Sequence, residues 1–450
     1  MLIDGLKEIA RESGVVGAGG AGFPSYAKMT DKADTVILNC VECEPLLKLH
    51  IQLLALHAEE IVQMLEEVRE AFGAKEAVIG IKSEHKNTIR IVEEALHDYP
   101  SVRICAVRPT YPMGDEVVLI YEATGRVIKP GGIPIDENVV VYNTETMYNL
   151  YRAVHLHMPV TEKLVSIVGE VEHPLTVAVP IGMTVKDAVS MAKEVTVDHP
   201  AYLMGGPMMG RLGTPNTVIT KTTNAIIVLP ENHKVIMRIH KNLEIERKRA
   251  ASSCCQCRTC TEMCPRHALG HPIEPHRMMR AVANHDMSDL SVYTNAAYCS
   301  SCGLCENYAC PQGLSPRSVI AEFKNGLRAA GIRPEKLEPA GTIADRELRK
   351  VPVARLKARL GLSGYDVPAP LTDLEEIDKA FKGKEALKVK IPMSQHIGAP
   401  AKPCVEVNAA VKKGQKIADA AEGLSVAIHS SIDGIVEKVN EKEIVIRHRG

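Results

Sequence analysis

This 450-residue chain has no tryptophan, and aromatic residues make up only 4% of it, so aliphatic side chains must pack its cores. It has no excess of either charge: 54 basic and 55 acidic residues leave a net charge of −1. Nothing in that balance implies nucleic acid or an anionic membrane as a partner. No run of about 18 apolar residues is present, so no segment is expected to span a bilayer. Met1 to Ala10 carries Asp4, Lys7 and Glu8 and lacks the apolar core of a signal peptide. No triad or carboxylate pair suggests hydrolysis. Glu59-Glu60, Glu66-Glu67 and Glu93-Glu94 fall on expected helices and read as solvated faces. Hydrophobic residues at 45% and charged residues at 24% are ordinary for a globular protein, long enough for about three domains.

Cysteine is plentiful, and its spacing carries the chemistry. One run reads Cys254-x2-Cys257-x2-Cys260-x3-Cys264-Pro265, and a second reads Cys299-x2-Cys302-x2-Cys305-x4-Cys310-Pro311. Each is the bacterial ferredoxin pattern for a [4Fe–4S] cluster, the second with one extra residue before its last cysteine. Three thiolates from a tight loop wrap one face of a cubane, and in two-cluster proteins the fourth cysteine of a run serves the other cluster. That assigns Cys254, Cys257, Cys260 and Cys310 to one cluster, and Cys299, Cys302, Cys305 and Cys264 to the other. Cys-x2-Cys pairs also hold zinc, but two full runs closed by Cys-Pro favour the cubanes. Cys255 is a rival first ligand with a worse gap. Cys40, Cys105 and Cys404 read as small apolar residues. Reduced thiols and metal ligands together imply a cytoplasmic protein.

Along the chain, residues 2–12 read as an amphipathic helix. Strands are expected at Thr35–Asn39, Ala77–Ile81 and Val102–Val107, and helices at Leu53–Phe72 and Asn87–Tyr99. That alternation predicts a parallel α/β sheet. From Lys163 the pattern changes to a hairpin and a short helix, a small α+β module. Its Met204, Met208 and Met209 read as core and turn residues. The cysteine region reads as helix and loop, with His267, His271 and His276 expected to hydrogen-bond and position the first run. A segment rich in proline and charge follows as a linker. The last 65 residues read as short strands, including Val426–His429, separated by turns at Lys413-Gly414, Glu422-Gly423 and Asp433-Gly434.

Gly17-Ala18-Gly19-Gly20-Ala21-Gly22 fits G-x-G-x-x-G, but only Val15-Val16 precedes it, after a polar helix. A Rossmann loop must follow a strand and open a helix. Two uses remain open: a tight structural loop, or backbone N–H groups approaching a phosphate with Lys28 as counter-charge.

The wider strings resemble known families. Gly17 to Pro24, Lys28 and Asn39-Cys-Val-Glu-Cys-Glu-Pro45 are similar to the flavin and NADH loops of the NADH-oxidising subunit of respiratory complex I, and more so to the Rnf complex C subunit. Tyr111 to Glu116 and Val141 to Thr146 resemble two further FMN-contacting stretches of those families. The resemblance implies that Gly17, Gly19, Gly20, Gly22, Lys28, Asn39, Glu42, Gly114, Asp115, Asn143 and Thr146 line FMN. It implies that Phe23, Glu44 and Glu116 lie near NADH. Cys43 stands where the complex I pattern has serine. The module order, with Cys305-Glu-Asn-Tyr-Ala-Cys-Pro311, Gln395-His-Ile-Gly-Ala399 and His429-Ser-Ser-Ile-Asp-Gly434, resembles the propanediol-utilisation cobalamin reductase family.

The resemblance implies a multidomain α/β chain. Its expected parts are a flavin-subunit-like α/β domain (1–160), an SLBB-like α+β module (161–235), a helical two-cluster ferredoxin-type domain (240–332), a linker (333–384) and a barrel-sandwich hybrid (385–450). That last fold also serves as a lipoyl carrier, but Ser430 to Asp433 offers no lysine at the carrier turn. The implied function is NADH-dependent reduction of cobalamin in a bacterial microcompartment, with FMN and two [4Fe–4S] clusters. The implied partners are a corrinoid adenosyltransferase and an iron–sulfur shell protein; homo-oligomerisation is allowed. No Asp-x-His-x-x-Gly string marks a cobalamin site. Two alternatives stand beside this: delivery of electrons to ferredoxin or another acceptor, and a non-catalytic iron–sulfur adaptor.

Overall fold

A computed structural model describes residues 2–372 and 387–448. The N-terminal domain is built on a four-stranded parallel sheet in the order Val102–Val107, Glu76–Lys82, Thr35–Cys40, Val139–Asn143. The three expected strands are present; the fourth was not foreseen. It matters because it creates the point where strand order reverses. The chain steps outward from Thr35–Cys40 through two strands, then returns to the other side of that first strand. Asn39 and Asn143 stand side by side there, at the carboxyl ends of their strands. Open α/β sheets bind ligands at such a crevice.

The single helix expected over Leu53–Phe72 is two, Leu49–Leu56 and Ala58–Phe72, with His57 between them in a non-helical conformation. No glycine or proline marks the break. The first helix is buried on nearly every side, so its apolar pattern runs on without a register signal.

The second module is a six-stranded sheet in the order Leu371–Thr372, Leu175–Pro180, Glu162–Gly169, Ala225–Pro230, Pro200–Met204, Arg211–Gly213. The expected hairpin is its centre. Its first strand comes from the segment read as a linker. That segment also pairs Val351-Pro352 with Thr110-Tyr111, then forms the helix Val353–Leu360. Upstream, Leu337 N–H donates to Pro130 O (3.1 Å) and Ala340 N–H to Gly270 O (3.0 Å). The described part is thus a strap across the flavin-like and cysteine-bearing domains. It reads as a linker because prolines and charges dominate its composition, although Val353, Leu356 and Leu360 recur at helical spacing and are buried. Residues 373–386 of that expectation lie outside the described residues.

The C-terminal module has a four-stranded and a three-stranded sheet, as a barrel-sandwich fold requires. It packs on the N-terminal domain. Ile397 N–H donates to Gly22 O (3.2 Å), Ala427 N–H to Arg11 O (3.1 Å), and the Tyr26 hydroxyl to Gly423 O (3.1 Å). Its carrier-type turn is closed: Ser430 and Ser431 are buried, and Ser431 Oγ donates to Ile181 O (2.7 Å).

Lys221 joins three modules. Its ammonium donates to Gly14 O (2.6 Å) and Ala427 O (3.5 Å), and its backbone N–H donates to Gln395 Oε1 (3.2 Å). Burial lowers it from its ordinary 10.5 to about 7. Between those two values the unfolded chain binds the extra proton, so the lysine's penalty falls as pH rises. Below about 7 the penalty is constant and full. Lys221→Met is therefore expected to melt higher relative to the wild-type chain at about pH 6 than at about pH 9. A melting difference unchanged across that range would show that Lys221 is not held neutral.

Candidate functional site

The glycine loop follows the helix Ile3–Glu12 and precedes a 3-10 turn, Ser25–Lys28. An isolated bridge between Val16 and Pro24 closes it, and Gly17 N–H donates to Phe23 O (2.9 Å). No strand enters it and no helix leaves it, so it is not a Rossmann loop. It lies beside Asn143, which caps the helix Thr144–His155 through Glu145 N–H (2.9 Å). The approach is close: a Cβ on Gly19 would sit 2.6 Å from the Asn143 amide nitrogen. Ala18 N–H donates to Thr146 Oγ1 (3.0 Å), which pins the loop to the same helix. Gly19 and Gly20 are exposed above this helix N-terminus, and Gly22 is buried under the C-terminal module. Lys28 is half-buried, donates to Val141 O (3.3 Å) and lies 5.9 Å from the Phe23 ring centroid. Open glycines over a helix N-terminus, with an ammonium nearby, make an anion cradle.

The other stretches meet the loop at the sheet crevice. Asn39 Nδ2 donates to Gly114 O (3.0 Å), and its Oδ1 accepts from Val41 N–H (3.0 Å). Gly114 must be glycine, because a Cβ there would lie 2.2 Å from Val41 O. Cys43 is tucked beneath it, its thiol pushed up to about 12 by burial and by Glu44. Glu116 is exposed at the start of the helix Glu116–Thr124. The open glycines, the helix N-terminus and the polar Asn39 and Asn143 fit a phosphorylated flavin.

Four of the expected contact residues have protein partners of their own, and the first, Glu42, accepts at Oε2 from His50 N–H (3.2 Å). Thr146 is buried and spent on the loop backbone. Asp115 caps its helix at Val117 and Val118, and both its oxygens accept from Arg266 Nη2 at 2.9 Å. Glu44 faces the Gly205–Gly210 loop, where its Oε2 accepts from Met208 N–H (2.9 Å). Its Oε1 is buried without a partner among the described residues, and burial raises the carboxyl to about 7.

The sequence reading missed a buried charge network beneath the crevice. His50 lies 3.4 Å from Glu42 and 3.9 Å from Glu145, and Glu145 pairs with the buried Lys163 of the next module. Removing one partner would strand a buried charge at a cost of about 3–5 kcal/mol. Only the local neighbourhood Asn143 to Glu145 hinted at it.

The cysteines gather in the crossed pairing that the runs imply. Cys254, Cys257, Cys260 and Cys310 line one pocket, with the rival Cys255 also on its wall and more exposed than Cys254. Burial, then the thiols of Cys310, Cys254 and Cys257, push Cys260 up to about 12. In the second group, burial and the thiols of Cys299, Cys302 and Cys264 push up Cys305. The extra residue before Cys310 is absorbed by a π-helical turn, Cys305–Ala309, a one-residue insertion that lets Cys310 reach the first group. All thirteen cysteines are free. Among the described residues no three His, Cys, Asp or Glu side chains are close enough for a single metal ion. Two thiol quartets drawn from two ferredoxin-type runs fit two [4Fe–4S] clusters. His271 and His276 position this region, through Ile128 O (2.9 Å) and Thr261 Oγ1 (2.7 Å).

The second quartet abuts the flavin-like crevice. Tyr111, which opens the third stretch, donates from its hydroxyl to Cys302 O (2.6 Å). The Arg266–Asp115 pair lies beside it, with the two side chains only 16% and 11% exposed.

Comparison with known proteins follows the same division. Residues 10–152 match the Nuo51 FMN-binding domain, 253–315 a 4Fe-4S dicluster domain, and 371–449 the RnfC barrel sandwich hybrid domain. The C component of the Na(+)-translocating ferredoxin:NAD(+) oxidoreductase complex of Acetobacterium woodii is 27% identical over 59% of this chain and 59% of its own. The cobalamin reductase PduS of Citrobacter freundii is 38% identical over 98% of this chain and 96% of its own. PduS of Salmonella typhimurium is 40% identical over the same shares of the two chains, 98% and 96%. With that likeness end to end, the chain belongs to the PduS cobalamin reductase family.

Proposed function

We propose that this chain is an NADH-dependent oxidoreductase that reduces cobalamin, with FMN and two [4Fe–4S] clusters as its resident cofactors. The observation that carries this reading is the meeting of a flavin-type crevice and a cysteine quartet at Tyr111 and Cys302. When bound, FMN takes a hydride in one step and releases electrons singly, and the clusters carry them one at a time.

The chain's own residues supply binding and position. Gly19, Gly20 and the N-terminus of the helix Thr144–His155 would hold the flavin phosphate, with Lys28 as counter-charge. Asn39, Gly114 and Asn143 would hold the body of the flavin at the crevice. Phe23 and Glu116 would face the dinucleotide, with Glu44 behind them, its carboxyl raised to about 7 by burial. Cys254, Cys257, Cys260 and Cys310 would hold one cluster, and Cys264, Cys299, Cys302 and Cys305 the other. The 161–235 module would be of the SLBB type. It serves here as a wedge: Met208 O accepts from Arg317 Nη1 (2.9 Å), tying Glu44 to the cysteine-bearing domain. By family, the setting would be the cytoplasm inside a bacterial microcompartment, with a corrinoid adenosyltransferase and an iron–sulfur shell protein as partners.

Anaerobic protein reconstituted with iron, sulfide and FMN is expected to convert added hydroxocobalamin to cob(II)alamin when NADH is supplied, as seen in the cobalt absorption bands. The control is FMN alone at the same concentration. Flavin bleaching with unchanged cobalamin would assign the electrons to a different acceptor.

Gly19→Ala is expected to weaken FMN binding roughly tenfold, about 1.4 kcal/mol, and to lower the melting temperature, because Asn143 also caps the helix Thr144–His155. The new methyl group displaces the Asn143 amide. A Cβ on Gly20 meets no protein atom within 4 Å, so weaker binding in Gly20→Ala would report contact with the flavin itself. Wild-type affinity in both variants, read by flavin fluorescence quenching, would remove the loop from the site.

A further inference from the structure

The two cysteine quartets sit in unlike surroundings. Cys264, Cys299, Cys302 and Cys305 lie on the flavin side of their domain. Cys305 is buried, and Cys302 is held to Tyr111 through its carbonyl. The hollow beside Cys264 is walled by Tyr111, Pro112 and Met113 of the N-terminal domain and by Arg349 and Lys350 of the strap. The Gly205–Gly210 loop packs on the same side, where a Cβ on Gly303 would lie 3.2 Å from Met208 O. Cys264, Cys299 and Cys302 are half-buried, and none of the four thiols is exposed.

The other quartet has one exposed thiol. Cys257 is exposed, as are its neighbours Cys255, Gln256 and Arg258. Every residue that lines its pocket comes from 254–316, and the strap reaches the Cys310 carbonyl through Arg359 Nη2 (3.5 Å). Gln256 and Arg258 both hold left-handed backbone, φ 53° and 63°, and this turns the loop outward around Cys257.

We propose that these surroundings fix a direction. The Cys264–Cys299–Cys302–Cys305 quartet is the entry next to the flavin, and the Cys254–Cys257–Cys260–Cys310 quartet is the exit, where an outside one-electron acceptor docks on the face around Cys257. This rests on the two-cluster reading above. At the exit one electron leaves for one acceptor molecule; no bond forms or breaks and no proton moves. One NADH, oxidised to NAD+ with release of one proton to solvent, supplies two such transfers. The acceptor needs no burial inside this chain, because the exit quartet already reaches solvent.

Electron paramagnetic resonance on the full, anaerobically reconstituted chain tests this. Dithionite should reveal two cluster signals in the wild-type chain; fewer than two would overturn the two-cluster reading and the proposal with it. In Cys302→Ser, the surviving signal should appear with dithionite and be lost with NADH. In Cys257→Ser, it should appear with NADH, but its reoxidation by added hydroxocobalamin should be slowed. The reverse pattern would overturn the direction while leaving the cofactor content intact. Where a variant fails to load, the wild-type chain still decides. The iron chelator bathophenanthroline disulfonate should strip the exit quartet first and leave a signal that NADH still produces. A surviving signal that NADH cannot produce would overturn the proposal.

Discussion

The geometry of this protein depends on one buried ion pair. Asp115 lies in the Tyr111–Glu116 stretch of the crevice, one residue after Gly114, and Arg266 stands two residues after Cys264. Their contact at 2.9 Å sets the cysteine-bearing domain against the flavin-type domain at the point where the two chemistries must meet. The carboxylate also caps the helix Glu116–Thr124. Neither role can be lost alone, because an unpaired charge left in that interface costs about 3–5 kcal/mol. The Tyr111–Cys302 hydrogen bond and the strap over Thr110-Tyr111 lie on the same line of contact. The interface is therefore polar and directional. Apolar packing would hold the domains together, but it would tolerate sliding that fixed hydrogen bonds do not.

A second constraint works from the opposite side. The C-terminal module is far from the glycine loop in sequence and adjacent to it in space, through Ile397 and Gly22. Lys221 fastens both to the middle module without a carboxylate partner among the described residues, which explains its low proton affinity. The module thus forms a wall behind the loop. The carrier-type turn that its fold offers elsewhere is used here for packing at Ser430 and Ser431.

Local features with a short sequence range were legible in the sequence. The cysteine runs showed their pairing because ligand spacing is set by the cubane. The three strands and the hairpin at 162–180 showed through apolar pattern. The glycine loop was separable from a Rossmann loop because no strand precedes it. What stayed hidden were contacts between distant segments. Nothing near Asp115 predicts Arg266, and nothing near His50 predicts Lys163. The strand Val139–Asn143 was masked by its role as a motif, and the break at His57 by a helix buried all round. The strap was read as a linker because proline-rich backbone paired at a sheet edge has the same composition as a free connector.

The most direct test of this account is stopped-flow spectroscopy of NADH reduction in the Arg266→Met variant. The account predicts flavin bleaching at the wild-type rate, followed by cluster bleaching slowed roughly tenfold or more, equal to about 1.4 kcal/mol in the barrier. Flavin and cluster bleaching at wild-type rates would show that the Asp115–Arg266 contact does not set the geometry between them.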